Sequence, residues 1–202
     1  GVTSAYVDAV RPILEIIGAE KEATLAGVYI VVKEQSLLFL ADCTINIDPS
    51  SEELAKIALA TAKVAEEYTQ EPKRVAMLSY ASFGTSRHAE AKKVAKAVSL
   101  VKERNPALEV DGEMQVDVAL SQSLRDKEFP FTNLKGNANI LIFPNLGAAN
   151  ISYKLLQHVG GAEVTGPILV GLNKPANALQ REASVQEITS LIYVTAHKAV
   201  KT

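Results

Sequence analysis

The sequence holds a single cysteine, Cys43, so it has no internal disulfide framework and suits a reducing compartment. It has no basic surplus: 21 Lys and Arg stand against 23 Asp and Glu, for a net charge of −2 and a pI near 6.0. Little is then available to displace counterions from a phosphate backbone, which argues against nucleic acid as a partner. No apolar run approaches the roughly 20 residues of a membrane helix, and no charged start, apolar middle and cleavage site marks a signal peptide. These absences point to the cytoplasm, with no membrane partner. No His pair stands at metal-ligand spacing, since His88, His158 and His197 are scattered. A Walker loop, a GxGxxG run, an internal repeat and low-complexity sequence are missing too. A chain that opens on Gly1 rather than Met is expected to be a piece of a longer one.

What is present is 202 residues, 48% hydrophobic and 22% charged, enough to build a core without staples. Helical and strand patterns alternate along them, the mark of an α/β fold. Ser4 to Ile17 carries Val7, Val10, Leu14 and Ile17 at helical spacing, with Pro12 expected to kink the run and Gly18 to stop it. Gly27 to Val32 and Leu37 to Ala41 read as an antiparallel hairpin. Ser50-Ser51-Glu52-Glu53 starts a helix that runs to about Tyr68, acids near its positive end. Arg74 to Ser79 reads as strand, Ala89 to Glu103 as amphipathic helix and Leu108 to Val110 as a brief strand. Gly112 to Leu120 reads as helix, Asp126 to Gly136 as an irregular link, and Ile140 to Phe143 as strand. Ala148 to Val159 is helix closed by Gly160-Gly161, Ile168 to Gly171 is the last strand, and a helix from about Ser184 to His197 ends the chain. The expected fold is a three-layer α/β sandwich with a mostly parallel sheet and a ligand crevice at the carboxyl ends of its strands.

Four groups of residues could carry chemistry. The turn Ser79 to Ser86 offers hydroxyls, Gly84 and backbone amides before a helix, which suits an anion or a hydroxyl-rich helix cap. Asp111, Glu113 and Asp117 form an acidic group that could bind metal or move protons, although Asp111 before Gly112 reads more simply as a helix cap. Cys43, in or just after a strand, is better read as inert packing than as a nucleophile. Arg11 and Arg181 are isolated cations whose guanidinium forks suit phosphate or carboxylate, with a surface salt bridge as the plainer reading.

Several long segments say more than their periodicity. Arg74-Val75-Ala76-Met77-Leu78-Ser79-Tyr80-Ala81-Ser82-Phe83-Gly84 resembles a segment of the phosphate acetyl/butyryl transferases. So do Val110-Asp111-Gly112-Glu113-Met114-Gln115-Val116-Asp117 and the run Asn139 to Ile151, which contains Phe143-Pro144-Asn145-Leu146-Gly147. Gly166-Pro167-Ile168-Leu169 and Gly171-Leu172-Asn173-Lys174-Pro175 continue the likeness. The resemblance implies acyl transfer between coenzyme A and inorganic phosphate, in a cleft between two α/β domains. It covers only the carboxyl-terminal part of that family. Residues 1–180 would be the second domain, and residues 181–202 a helix returning to a first domain that lies upstream.

Phe129-Pro130-Phe131-Thr132-Asn133-Leu134-Lys135-Gly136, Tyr153-Lys154-Leu155-Leu156-Gln157 and Leu179-Gln180-Arg181 further resemble the transferase-type domain that ends bacterial NADP-dependent malic enzymes. That likeness implies a non-catalytic domain that binds acetyl-CoA as an allosteric effector and supports a homo-oligomer, dimer or higher. NADP and a divalent metal would belong only to the malic-enzyme part, and no cofactor to this one. The alternative is an active phosphate acetyltransferase. Working family members carry a Ser-Arg pair before the last helix and an Asp in its first turns, where this chain has Gln180-Arg181 and Glu187. Glu182 stands where Gly is usual, His158 replaces a substrate-site arginine, and Arg11 matches another. The resemblance thus assigns ligand contacts to Arg11, Ser79, Ser82, Gly84, Thr85, Asn145, His158, Gln180 and Arg181, with Glu187 as the changed proton acceptor.

Overall fold

Why the centre of this chain folds as it does is clearest at its first two strands, where unbroken apolar runs meet over a two-residue turn. A computed structural model describes residues 6–180 and 183–201. In it β1 (Ala26–Lys33) and β2 (Ser36–Ala41) form the expected antiparallel hairpin, Tyr29 opposite Leu40 and Lys33 opposite Ser36. The chain then builds α2 (Ser51–Tyr68), β3 (Arg74–Leu78) and α3 (Ala89–Arg104), followed by β4 (Glu109–Met114), α4 (Val116–Leu120) and α5 (Gln122–Glu128). After these come β5 (Ile140–Ile142), α6 (Leu146–His158), β6 (Glu163–Val170) and α7 (Val185–Lys201), all preceded by α1 (Tyr6–Ile17).

The six strands form one sheet in the order β4-β3-β5-β2-β1-β6. Pairs β3–β4, β3–β5 and β2–β5 are parallel, whereas β1 is antiparallel to both its neighbours. Hence β1 alone runs against the rest, and the sheet is mostly parallel between two layers of helices. The helix α2 starts where sequence chemistry sets it. Ser50 caps it, accepting from the Glu53 amide at 3.3 Å, while the Glu53 carboxylate accepts from the Ser50 amide at 2.8 Å. Its alanines let it lie close to α3 and the sheet. Together α2, α3 and α7 bury one face of the sheet against Val28, Phe39, Val75 and Ile168, with Leu191 and Val194 supplied by α7. On the other face α4 and α6 cover Tyr29, Leu40, Ala76 and Leu141. A smaller cluster joins Val10 of α1 to Leu169, Leu172 and Ala178.

Four expectations change. Residues Gly112 to Met114 are not helix but the end of β4, paired with β3 as Met77–Gly112 and Leu78–Met114, so the helix there shrinks to Val116–Leu120. Asp111 is therefore a buried strand residue and caps no helix. A helix, Gln122–Glu128, takes up the first three residues of the expected Asp126–Gly136 link, and Arg125 within it, fully buried, reaches back to the carbonyls of Val118, Ala119 and Gly136. The last strand starts at Glu163, five residues early, because β6 is an edge strand where Pro167 leaves no ladder partner stranded. By contrast α1 runs through Pro12 to Ile17, where Gly18 ends it as expected.

Candidate functional site

One face of α6 gathers the residues around the start of α7. Ser184 and Glu187 close that start reciprocally: the Ser184 amide donates to Glu187 Oε2 at 2.6 Å, and the Glu187 amide to Ser184 Oγ at 3.2 Å. The other oxygen, Glu187 Oε1, accepts from Gln157 Nε2 on α6 at 3.2 Å. Partial burial works against ionisation of Glu187. The Ser184 amide and hydroxyl, the Gln157 amide and nearby His158 outweigh it and hold the carboxyl below its usual range. Glu187 is thus a carboxylate at neutral pH, at the mouth of a cavity of about 270 Å³ whose lining includes Gln157, Glu163, Thr165, Ser184 and Ser190.

Gln180 docks one turn away. Its Nε2 donates to Tyr29 Oη at 2.8 Å and Tyr153 Oη at 3.1 Å, and the two rings stack with centroids 4.3 Å apart and planes 15° from parallel. Burial, then the neighbouring Tyr153, pushes the Tyr29 phenol far up, so it stays protonated. Tyr153 and Gln157 are four residues apart on α6 and lie on one face about 6 Å along the axis. Through them α6 holds Gln180 and Glu187 on side chains one helical turn apart. Arg181 and Glu182 themselves lie outside the described residues. The segment before Gln180 is clamped as well: Asn177 accepts from the Leu169 amide and donates to Thr195, both at 2.7 Å. Ala178 packs on Val10 of α1, which brings the helix of Arg11 alongside, with Arg11 itself exposed. His158 is exposed at the last position of α6.

The remaining predicted residues collect elsewhere, at the carboxyl ends of β3 and β5 and the opposite end of α6. Asn145 caps α6 by accepting from the Ala148 amide at 2.9 Å, and it donates to Glu90 of α3 at 2.9 Å. The hydroxyls of the 79–86 turn bond within the turn and its surroundings. Ser82 Oγ accepts from the Gln115 amide at 3.0 Å, Thr85 Oγ1 from the Ser82 amide at 3.1 Å, and Ser79 Oγ from the Ala81 amide at 3.4 Å. The Gly84 amide donates to buried Glu113 at 2.7 Å. So Gln180, held on Tyr153, and Glu187, held on Gln157 near His158, are anchored about 12 and 18 Å along α6 from Asn145, whereas Ser79, Ser82, Gly84 and Thr85 lie in the turn before α3, to whose Glu90 Asn145 bonds.

Of the acidic group, Asp111 accepts from Thr132 Oγ1 at 2.9 Å and the Asn133 amide at 2.7 Å, and it pairs with Lys102 at 3.1 Å. Asp117 accepts from the Val118 amide at 2.9 Å. Among the described residues no His, Cys, Asp and Glu side chains cluster as metal ligands would. Burial pushes the Cys43 thiol up, with Asp42 adding to it, which keeps it an inert thiol in the core. Sequence reasoning missed Tyr29, Tyr153 and Gln157. The Ser184-x-x-Glu187 spacing was a readable sign of the cap, whereas the tyrosine pair joins a strand to a helix 124 residues later and leaves no local trace.

Residues 1–196 match the family model described as phosphate acetyl/butaryl transferase. The chain is 41% identical over 201 residues to a phosphate acetyltransferase of Bacillus subtilis, covering 99% of this chain and 62% of the relative. Among solved structures it superposes on a phosphotransacetylase from Streptococcus pyogenes with a TM-score of 0.93 and 38% identity, over 100% of this chain and 62% of that one. The EutD phosphotransacetylase from Staphylococcus aureus gives 0.88 and 37%, over 98% and 62%. The chain therefore spans about 62% of the length of these relatives. They are phosphate acetyltransferases in their own right, which overturns the expected assignment to a non-catalytic acetyl-CoA sensor domain of a malic enzyme. Likeness along the whole chain outweighs the three short segments and the site departures that point to that branch. Among the described residues, no helix is long and apolar enough to cross a membrane.

Proposed function

This chain belongs to the phosphate acetyl/butyryl transferase family, and from that premise we propose that it forms part of an enzyme transferring an acetyl group between coenzyme A and inorganic phosphate. In the direction of acetyl phosphate, a phosphate oxygen attacks the thioester carbonyl, the carbon–sulfur bond breaks, and the coenzyme A thiolate leaves and takes up a proton. In the reverse direction the thiol gives that proton up before its sulfur attacks acetyl phosphate. The observation that carries this reading is the shared face of α6, which holds Gln180 through Tyr153 and Glu187 through Gln157.

Each residue then has a chemical task. Glu187, kept ionised by its amide donors, accepts the thiol proton, while its capping bonds restrict where that carboxylate points. Gln180 has its amide nitrogen engaged by the two tyrosines, so its carbonyl oxygen is the end left for substrate. Arg181, next in sequence, has the fork geometry to bind phosphate or the developing oxyanion, Arg11 adds positive charge beside the same segment, and His158 adds an imidazole at the end of α6. Exposed Ile151 and Leu155 on α6 offer an apolar surface for a second copy of the chain. The outward side of α7, with Ile192 and Tyr193 exposed, offers one for the first domain. The cytoplasm remains the address we propose.

The test is acetyl phosphate formation from acetyl-CoA and phosphate by the full-length protein. Turnover should be present and should fall by about 10²-fold in kcat on Glu187→Gln, the range of a lost general base. Absence of turnover in the full-length protein, or a Glu187→Gln variant as fast as the parent, defeats the proposal.

A further inference from the structure

A second, larger cavity lies on the opposite side of β6 from Gln180, where the loop after α1, the loop after β6, α2 and α7 meet. Its volume is about 480 Å³, within the range of small-ligand sites. Five lysines line it, Lys21, Lys56, Lys63, Lys174 and Lys198, against three glutamates, Glu20, Glu22 and Glu67. The lysines come from four separate elements, so their convergence is tertiary and not a run of charge in the sequence. Lys56 and Lys63 are seven residues apart on α2 and share one face of it, and Glu67 follows Lys63 by one more turn. The ammonium groups of Lys21, Lys63 and Lys174 have no hydrogen-bond or ion-pair partner among the described residues.

The backbone that carries two of these lysines is fixed in advance. The loops after α1 and β6 are joined by an antiparallel bridge, Ala19 to Leu172, with the Glu20 amide donating to Gly171 O at 2.9 Å and the Asn173 amide to Gly18 O at 3.1 Å. Gly171 has φ +85° and packs so closely on Thr24 that a Cβ would come within 2.8 Å of its carbonyl oxygen. A site built on such a bridge loses little order on binding. Leu59 and Leu172 give the cavity an apolar wall. Several like charges around one hollow repel each other, and an anion placed between them removes that repulsion.

We propose that this cavity binds a small phosphate ester of nucleotide size, its phosphates among the lysines and its apolar part on Leu59 and Leu172. Burial pulls the Lys198 ammonium below its usual range, while Glu67 and Glu20 pull it back. A bound polyanion acts in the same sense as those two glutamates and supplies what the empty cavity lacks. The site is on the other face of the edge strand from Gln180, so this proposal stands apart from acyl transfer. Its ligand could be a free nucleotide or the phosphorylated adenosine end of coenzyme A, which share the chemistry.

Calorimetric titration of the whole chain with ADP, with coenzyme A and with inorganic phosphate tests this directly, without turnover. Saturable binding of ADP, weakened roughly tenfold or more by Lys63→Gln with Lys174→Gln, is expected, since each charge-assisted contact is worth about that much. Lysine-dependent binding of coenzyme A with none of ADP supports the site and names the coenzyme as the source. Circular dichroism of the variants should match the parent, and Lys56→Gln serves as a substitute if the double variant does not fold. No saturable binding, binding indifferent to the lysines, or phosphate held as tightly as ADP overturns the proposal.

Discussion

The two faces of the sheet solve the burial problem differently. Under α2, α3 and α7 the buried side chains are almost all apolar, alanines and valines set among Phe39, Leu54, Ile57 and Met77. Thr61 is a buried polar residue there, and it answers its own need by donating to Ile57 O at 2.7 Å. Under α4, α5 and α6 the interior also takes in Asp111, Glu113 and Arg125. Each of these groups closes one loop. Asp111 holds 132–133, Glu113 holds Gly84, and Arg125 ties α5 to the end of α4 and to Gly136. The comparison teaches that the apolar face is specified by volume and pattern, which many sequences satisfy. The polar face is specified by partners, each of which is hard to replace. The helix that carries the candidate site, α6, belongs to the second kind of face.

The largest effect expected from this contrast is on Arg125. Arg125→Ala leaves three buried carbonyls without their donor and should lower stability by about 4 kcal/mol, read as a shift in the urea midpoint. On the apolar face, Leu54→Ala removes a fully buried side chain and should lower it by about 3 kcal/mol. If the Leu54 variant proves clearly the less stable of the two, the contrast between the faces is broken. Next in size, Asp111→Asn keeps the shape but weakens three charge-assisted contacts, for about 2 kcal/mol, with protection of the Asn133 amide from hydrogen exchange falling in parallel.

The smallest effects sharpen the comparison at the two capping boxes. Glu53 is held below its usual range by the Ser50 amide and hydroxyl, Glu187 by the set that includes Gln157 on another helix. Both carboxyls have a folded-state pKa below the unfolded one. Their contribution is therefore present above about pH 4.3, the unfolded value, and is lost as pH falls through the folded-state pKa. Ser50→Ala and Ser184→Ala should each destabilise by about 1 kcal/mol at pH 7. Glu187→Gln should in addition loosen α7 from α6, seen as faster amide exchange over residues 185–190, while Glu53→Gln should leave α2 attached. Equal exchange in both helices would show that the Gln157 contact holds nothing.

How much was legible follows the same division. The hairpin, α2 with its box, and α3 could be read because pattern, caps and packing all point the same way there. Reading failed at Gly112–Met114, where buried acids look like the first turn of a helix and only pairing with β3 makes them strand. Failure recurred at α5, which has no apolar stripe and is held by Arg125. The candidate site was half visible. Gln180, His158 and Glu187 were marked by resemblance, but the side chains that position them were not, because Tyr29 and Tyr153 meet only after the sheet has formed. The single crevice expected at the strand ends became two separate places along α6.

By itself the sequence determined the α/β class, most of the helices and strands, and membership in a family of acyltransferases. Those follow from local chemistry: apolar periodicity, caps, and motifs that lie in one stretch of chain. Only the tertiary structure decided which face of the sheet holds charge, which residues hold Gln180 and Glu187 in place, and that five distant lysines share one hollow. Such matters depend on contacts between residues far apart in the chain, whose partners no local pattern names.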